Sequence, residues 1–144
     1  VKPFAAVLLA GFVMIGAGGA SSGPQILEVS AAPLFSNPET AARLPAGIRF
    51  AFAGEAVEIV QVMQSTRSNR ASVRGARTLS DACRWALLGA LKGMGEQAKA
   101  AGANGVVNIR SVLDDLPAAD GAVRCRTSNS IVHVAITADL AQVK

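Results

Sequence analysis

One stretch constrains this chain more than any other: Thr78 to Leu113, TLSDACRWALLGALKGMGEQAKAAGANGVVNIRSVL. Cys83, Leu87, Ala90, Leu91, Met94, Ala98 and Ala101 recur at steps of three and four, which places them on one face of a helix. Arg84, Lys92, Glu96 and Lys99 fall mostly off that face. Ser80 is positioned as the N-cap, and Asp81 adds negative charge at the positive end of the helix dipole. Gly89, Gly93 and Gly95 each cost helix propensity, roughly 1 kcal/mol relative to Ala where exposed. Three such costs in one helix imply that another backbone approaches it closely. Gly102 is placed to end the helix in the left-handed conformation, and the β-branched Val106, Val107 and Ile109 begin a buried strand.

The flanking segments supply partners for this helix and strand. Gln25–Ser30 reads as a short strand, and residues 31–47 as a loop with Pro33, Pro38 and Pro45. Within that loop, Asn37-Pro38-Glu39 starts a helix of little more than one turn, with Pro at its first position. Residues 48–53 and 56–63 read as two strands of a hairpin around Gly54-Glu55. Residues 64–77 are polar and read as an exposed loop. Residues 114–121 form a second loop, 122–127 a strand with Val123 and Cys125 on one face, Ser128-Asn129-Ser130 a turn, and 131–138 a last strand that can run to Val143. Val132, Val134 and Ile136 then face the core and His133 faces away. The expected fold is α+β: one long helix on an antiparallel-rich sheet of about four to six strands.

With 144 residues the chain has enough length for one substantial core. Lys2, the apolar run from Phe4 to Ile15 and the small residues GAGGASSG have the three-part form of a secretory signal, cleaved near Ala20 or Ser22. The organisation read from this is residues 1–20 as signal peptide, 21–47 as an N-terminal strand and proline-rich loop, and 48–144 as the α+β domain. The alternative for the first segment is a retained anchor.

Cys83 and Cys125 are the only cysteines, 42 residues apart. In an exported chain they read as a disulfide, worth roughly 4 kcal/mol on the chain-entropy account. Two separate thiols or a redox pair are the alternatives. His133 is the only histidine. A Cys83–Cys125–His133 metal site would require all three to converge, and strand alternation sets His133 against it. A hydrolytic triad fails for the same want of partners. The spacing of Asp114, Asp115 and Asp120 fits a solvated turn rather than a calcium loop. No catalytic set, cofactor or metal site is called for.

The chain carries 14 Lys and Arg against 10 Asp and Glu, a net +4. Arg67, Arg70, Arg74 and Arg77 concentrate this excess in one stretch and make it a possible site for an anionic partner. The stretch has no aromatic residue on which a base could stack, which counts against nucleic acid.

The segments CRWALLGALKGMGEQAKAAGANGVVNI, then VRC, then a final apolar strand resemble, over about Leu44 to Val143, a family of small exported proteobacterial proteins often called "excinuclease ATPase subunit". The most specific pieces are Ser68-Asn69-Arg70, Cys83-Arg84-Trp85-Ala86 and Gly102 to Ile109. A nucleotide-hydrolysing subunit needs a GxxxxGK[ST] loop, and this sequence has none. The helix–Gly-Ala-Asn–strand piece is also similar to the YbjQ-like family, labelled heavy-metal-binding, and to the disulfide-bonded core of the Rcs-type stress-sensor lipoprotein. These likenesses imply a fold. The functional expectation is a non-catalytic periplasmic protein that binds a partner or an envelope component. The alternatives are a metal- or small-ligand-binding protein and a nucleic-acid-associated one using Arg67 to Arg77. Fusing residues 1–30 to a reporter active only in the periplasm is expected to give activity, with the mature chain starting near Ser21 or Gly23; a full-length cytoplasmic product would contradict export.

Overall fold

A computed structural model describes residues 24–144. The signal-peptide segment and its cleavage position lie outside the described residues. In chain order the elements are β1 (Gln25–Ser30), α1 (Ala32–Ser36), α2 (Pro38–Ala41), β2 (Arg49–Phe52), β3 (Ile59–Val73), α3 (Leu79–Ala100), β4 (Gly105–Ser111), β5 (Ala122–Thr127) and β6 (Ile131–Val143). A 3₁₀ turn, Leu113–Asp115, follows β4. The architecture is α+β, with one long helix on a six-stranded, antiparallel-rich sheet. None of the described helices is long and apolar enough to cross a membrane.

β6 is the strand on which the sheet is assembled. β3 pairs antiparallel with it from end to end. Its other edge is shared: β4 pairs with the C-terminal part and β5 with Val132–Val134. β1 extends the sheet beyond β5 antiparallel, and β2 extends it beyond β4 in parallel. The proposed hairpin of residues 48–53 and 56–63 therefore does not form. Gly54, at φ +90°, and the Glu55 N–H bonded to the Phe52 carbonyl turn the chain away instead. A four-residue β2 also cannot match the 15 residues of β3, whereas the 13-residue β6 can.

The loop expected at residues 64–77 is likewise corrected. Most of it is the second half of β3, and only Arg74–Arg77 turns into the helix. Polar residues occupy both faces here because β3 is an edge strand with little to bury, so no apolar alternation marks it. Pairing with β6 decides its conformation.

α3 packs on one face of this sheet. Cys83, Leu87, Ala90, Leu91, Met94 and Ala98 are buried, together with Val132, Val134, Ile136, Ala138 and Leu140 of β6 and Val123 and Cys125 of β5. Each large aliphatic side chain so buried contributes roughly 1.5–3 kcal/mol. The N-cap is Thr78 and not Ser80: the Thr78 hydroxyl accepts from the Asp81 N–H at 3.2 Å. Asn37 caps α2 as expected, accepting from the Glu39 N–H at 3.0 Å. α1, inside the segment read as loop, is an additional short helix.

The Gly-Ala-Asn-Gly turn after α3 does four separate jobs. Gly102, at φ +75°, closes the helix while the N–H groups of Gly102 and Ala103 bond to the carbonyls of Lys99 and Ala98, a Schellman arrangement. Ala103 is buried. The Asn104 amide both donates to the Val143 carbonyl (3.0 Å) and accepts from the Val143 N–H (2.8 Å), standing in for a strand peptide at the end of β6. Gly105 leaves room for Val143, whose Cγ1 would lie 3.0 Å from a Cβ there.

The helix glycines divide. A Cβ at Gly95 would meet Pro45 Cγ at 2.8 Å and the Phe50 ring at 2.9 Å, while Gly93 faces open space. The close approach inferred from sequence is thus made by side chains rather than by backbone. Cys83 and Cys125 form a disulfide across a Cα–Cα distance of 6.0 Å, tying the start of α3 to β5.

Cys83→Ser and Cys125→Ser are each expected to cost about 2–5 kcal/mol in urea unfolding, with the double variant costing little more. Free alkylation of both thiols in the folded protein would contradict the bond. Gly95→Ala is expected to destabilise by about 1–3 kcal/mol through overpacking, while Gly93→Ala gains up to about 1 kcal/mol. Equal melting temperatures for the two variants would contradict the packing described.

Candidate functional site

The four arginines proposed as one anionic-partner site are separated by the fold. Arg70 shares the helix-side face of β3 with Thr66, whose hydroxyl reaches Gln97 of α3. Its guanidinium lies across α3, where Gly89 supplies the space: a Cβ at Gly89 would stand 3.0 Å from Arg70 Nε. Arg77 places its guanidinium 4.4 Å from the ring centroid of Trp85. Arg74 is turned back on the chain, donating from Nε to the Arg77 carbonyl at 3.0 Å. Arg67 belongs to the opposite face of the sheet, where its Nε donates to Asn69 at 3.3 Å.

Two cations outside the predicted stretch join Arg70 and Arg77. Arg43, just past the C-cap of α2, sits 5.1 Å from the Trp85 centroid. Lys92 lies on α3, seven residues beyond Trp85. Trp85, Gly89 and Lys92 are spaced i, i+4 and i+7, so they form one helical stripe flanking the buried face. This spacing was legible in the sequence; the arrival of Arg43 from a distant turn was not.

Together Arg43, Arg70, Lys92 and Trp85 line a hollow of about 450 Å³ between α3, β3 and the turn after α2. Trp85 is half-buried and leans on the edge of the core. The guanidinium contacts at its ring contribute about 0.5–1 kcal/mol each at such exposure and hold the arginines in place. No carboxylate lines the hollow. The ion pairs among the described residues are Arg84–Asp81, Arg124–Glu28, Arg126–Asp114 and Lys144–Glu58, so none involves Arg43, Arg70, Arg77 or Lys92. Arg43, Arg70 and Lys92 thus meet in this hollow with no ion-pair partner among the described residues.

The opposite face of the sheet is different. Arg67 and Arg110 line an open concavity with Asn108, Thr137 and Asp139. Asp139 accepts from Asn108 at 2.9 Å and from Ser65 at 2.9 Å, placing negative charge among those cations. His133 is exposed on this same face, opposite Arg126 and Ala71 in register, while the disulfide sulfurs lie in the core on the helix side. Among the described residues no three His, Cys, Asp or Glu side chains gather in a metal-holding cluster. Asp114 is engaged by Arg126.

Compared with protein-family models, curated proteins and solved structures, the chain shows no match.

Proposed function

We propose that this chain is an exported, non-catalytic binding protein that holds an acidic partner or envelope component through the cationic hollow beside Trp85. The observation that carries this reading is charge segregation: Arg43, Arg70 and Lys92 converge on one concavity with no carboxylate in its lining. Like charges brought together at the cost of mutual repulsion are compensated when an anion binds. A disulfide fits an oxidising compartment, and the resemblance to exported proteobacterial proteins agrees with that location. Nucleic acid is a weaker partner on this reading, because Trp85 is already engaged by Arg43 and Arg77 and any contact reduces to phosphates.

Trp85 is the only tryptophan and the chain has no tyrosine, so intrinsic fluorescence reports this site directly. Titration with tripolyphosphate is expected to change Trp85 emission saturably, with affinity falling as salt rises. Arg70→Glu and Lys92→Glu should each weaken it at least tenfold, in line with the roughly 1.5–3 kcal/mol of a charged hydrogen bond. Gly89→Ala keeps every charge but displaces Arg70 and should also weaken binding. Absence of any saturable response, or full binding by both Glu variants, contradicts the reading.

A further inference from the structure

The concavity on the far face of the sheet, of about 610 Å³, lies within the roughly 300–1,000 Å³ of small-molecule sites. Strand register sets its floor. Thr137 of β6 lies opposite Arg67 of β3 on one side and Arg110 of β4 on the other. An irregularity in β4 produces this row. Val107 and Arg110 are three positions apart, while their partners Asp139 and Thr137 are two apart. The extra residue switches faces, so Ile109 joins Val106 in the core beneath α3 and Arg110 comes level with Arg67. Asn108, at φ +52°, sits at the irregularity and donates its amide to Asp139.

Asp139 lines the same concavity, one pleat repeat or about 7 Å along β6 from Thr137. It pairs with neither arginine: its two oxygens accept from Ser65 and Asn108, both at 2.9 Å. None of the ion pairs among the described residues involves Arg67, Arg110 or Asp139. Neutral donors therefore hold the carboxylate, and both guanidinium groups are left without one. Each Asp139 oxygen keeps room for a second donor. Two arginines and one aspartate leave one net positive charge, which a monoanion balances. The Asp139 charge opposes a phosphate dianion, and the lining has no aromatic ring on which a base could stack.

We infer that this concavity binds a sugar acid of the uronate type, its carboxylate between Arg67 and Arg110 and its hydroxyls donating to Asp139. Guanidinium and carboxylate match through parallel hydrogen bonds. A pyranose uronate carries its carboxylate at one end of the ring and hydroxyls at the other, which suits charges set one pleat apart. An amino acid with a neutral side chain has no net charge and would leave one arginine uncompensated. The site lies across the sheet from the Trp85 hollow and does not depend on it.

Calorimetric titration of the full chain with sodium glucuronate, glucose and acetate tests the assignment. Glucuronate is expected to bind one to one, at least tenfold more tightly than glucose or acetate. Arg67→Gln and Arg110→Gln, both at exposed positions, should each weaken it at least tenfold. Asp139→Asn should shift two ligands in opposite directions, weakening glucuronate and tightening acetate. Lys99→Gln, at the exposed end of α3, should change nothing. Melting temperatures identify any variant that misfolds, in which case the others decide. Methyl glucuronide, blocked as in a saccharide chain, marks a chain unit if it binds equally and a free sugar acid if it does not. No saturable binding of glucuronate overturns the inference, as does acetate or glutamate binding as tightly. A saturable change in Trp85 emission that survives Arg67→Gln and Arg110→Gln also overturns it, because the ligand then sits in the other hollow.

Discussion

Burial of one face of α3 against alternate residues of β6 is the contact on which the rest of this structure depends. Val132, Val134, Ile136, Ala138 and Leu140 all lie beneath the helix, so β6 must stay extended for most of its length. A buried strand needs partners along both edges, because unpaired peptide groups in a core are costly. β3 satisfies one edge; β4 and β5 divide the other. The helix is held in register at both ends, by the disulfide to β5 at its start and by the Asn104 clamp on Val143 at its finish.

The cationic hollow follows from that arrangement. β3 is the outermost strand beside β6, so its helix-side residues Thr66, Ser68, Arg70 and Ser72 face the flank of α3 rather than the core. Polar side chains are stable there because they remain partly solvated. The flank of α3 that meets them carries Trp85, Gly89 and Lys92. Gly89 is therefore read best as a packing residue, whose missing side chain lets an arginine lie on the helix. The helix propensity given up there, roughly 1 kcal/mol at most, is small against the placement of a charge.

Local chemistry makes much of this fold legible in the amino-acid order. The three-and-four spacing from Cys83 to Ala98, the glycine at 102, the alternation around Val123–Cys125 and Val132–Ile136, and the pairing of the only two cysteines each depend on short-range periodicity or on elimination. Three expectations failed, two of them because a local pattern was overruled at a distance. The Gly54-Glu55 turn looked like a hairpin, yet β2 and β3 found longer-range partners. The N-cap is Thr78, two residues before the better-looking Ser80, a small shift of the kind helix ends commonly show. The arginine-rich loop proved to be an edge strand.

That last case separates what each level decides. The sequence by itself determined the amphipathic helix, its glycine stop, the β-branched strands and the net positive charge, because these follow from side-chain chemistry and from periods of 3.6 and 2 residues. Only the tertiary structure decided which cations act together. A strand alternates its side chains between two faces, so pairing β3 with β6 sent Arg67 to one side and Arg70 to the other. The same packing brought Arg43 to Trp85 across more than 40 positions of sequence, a proximity that no local spacing encodes.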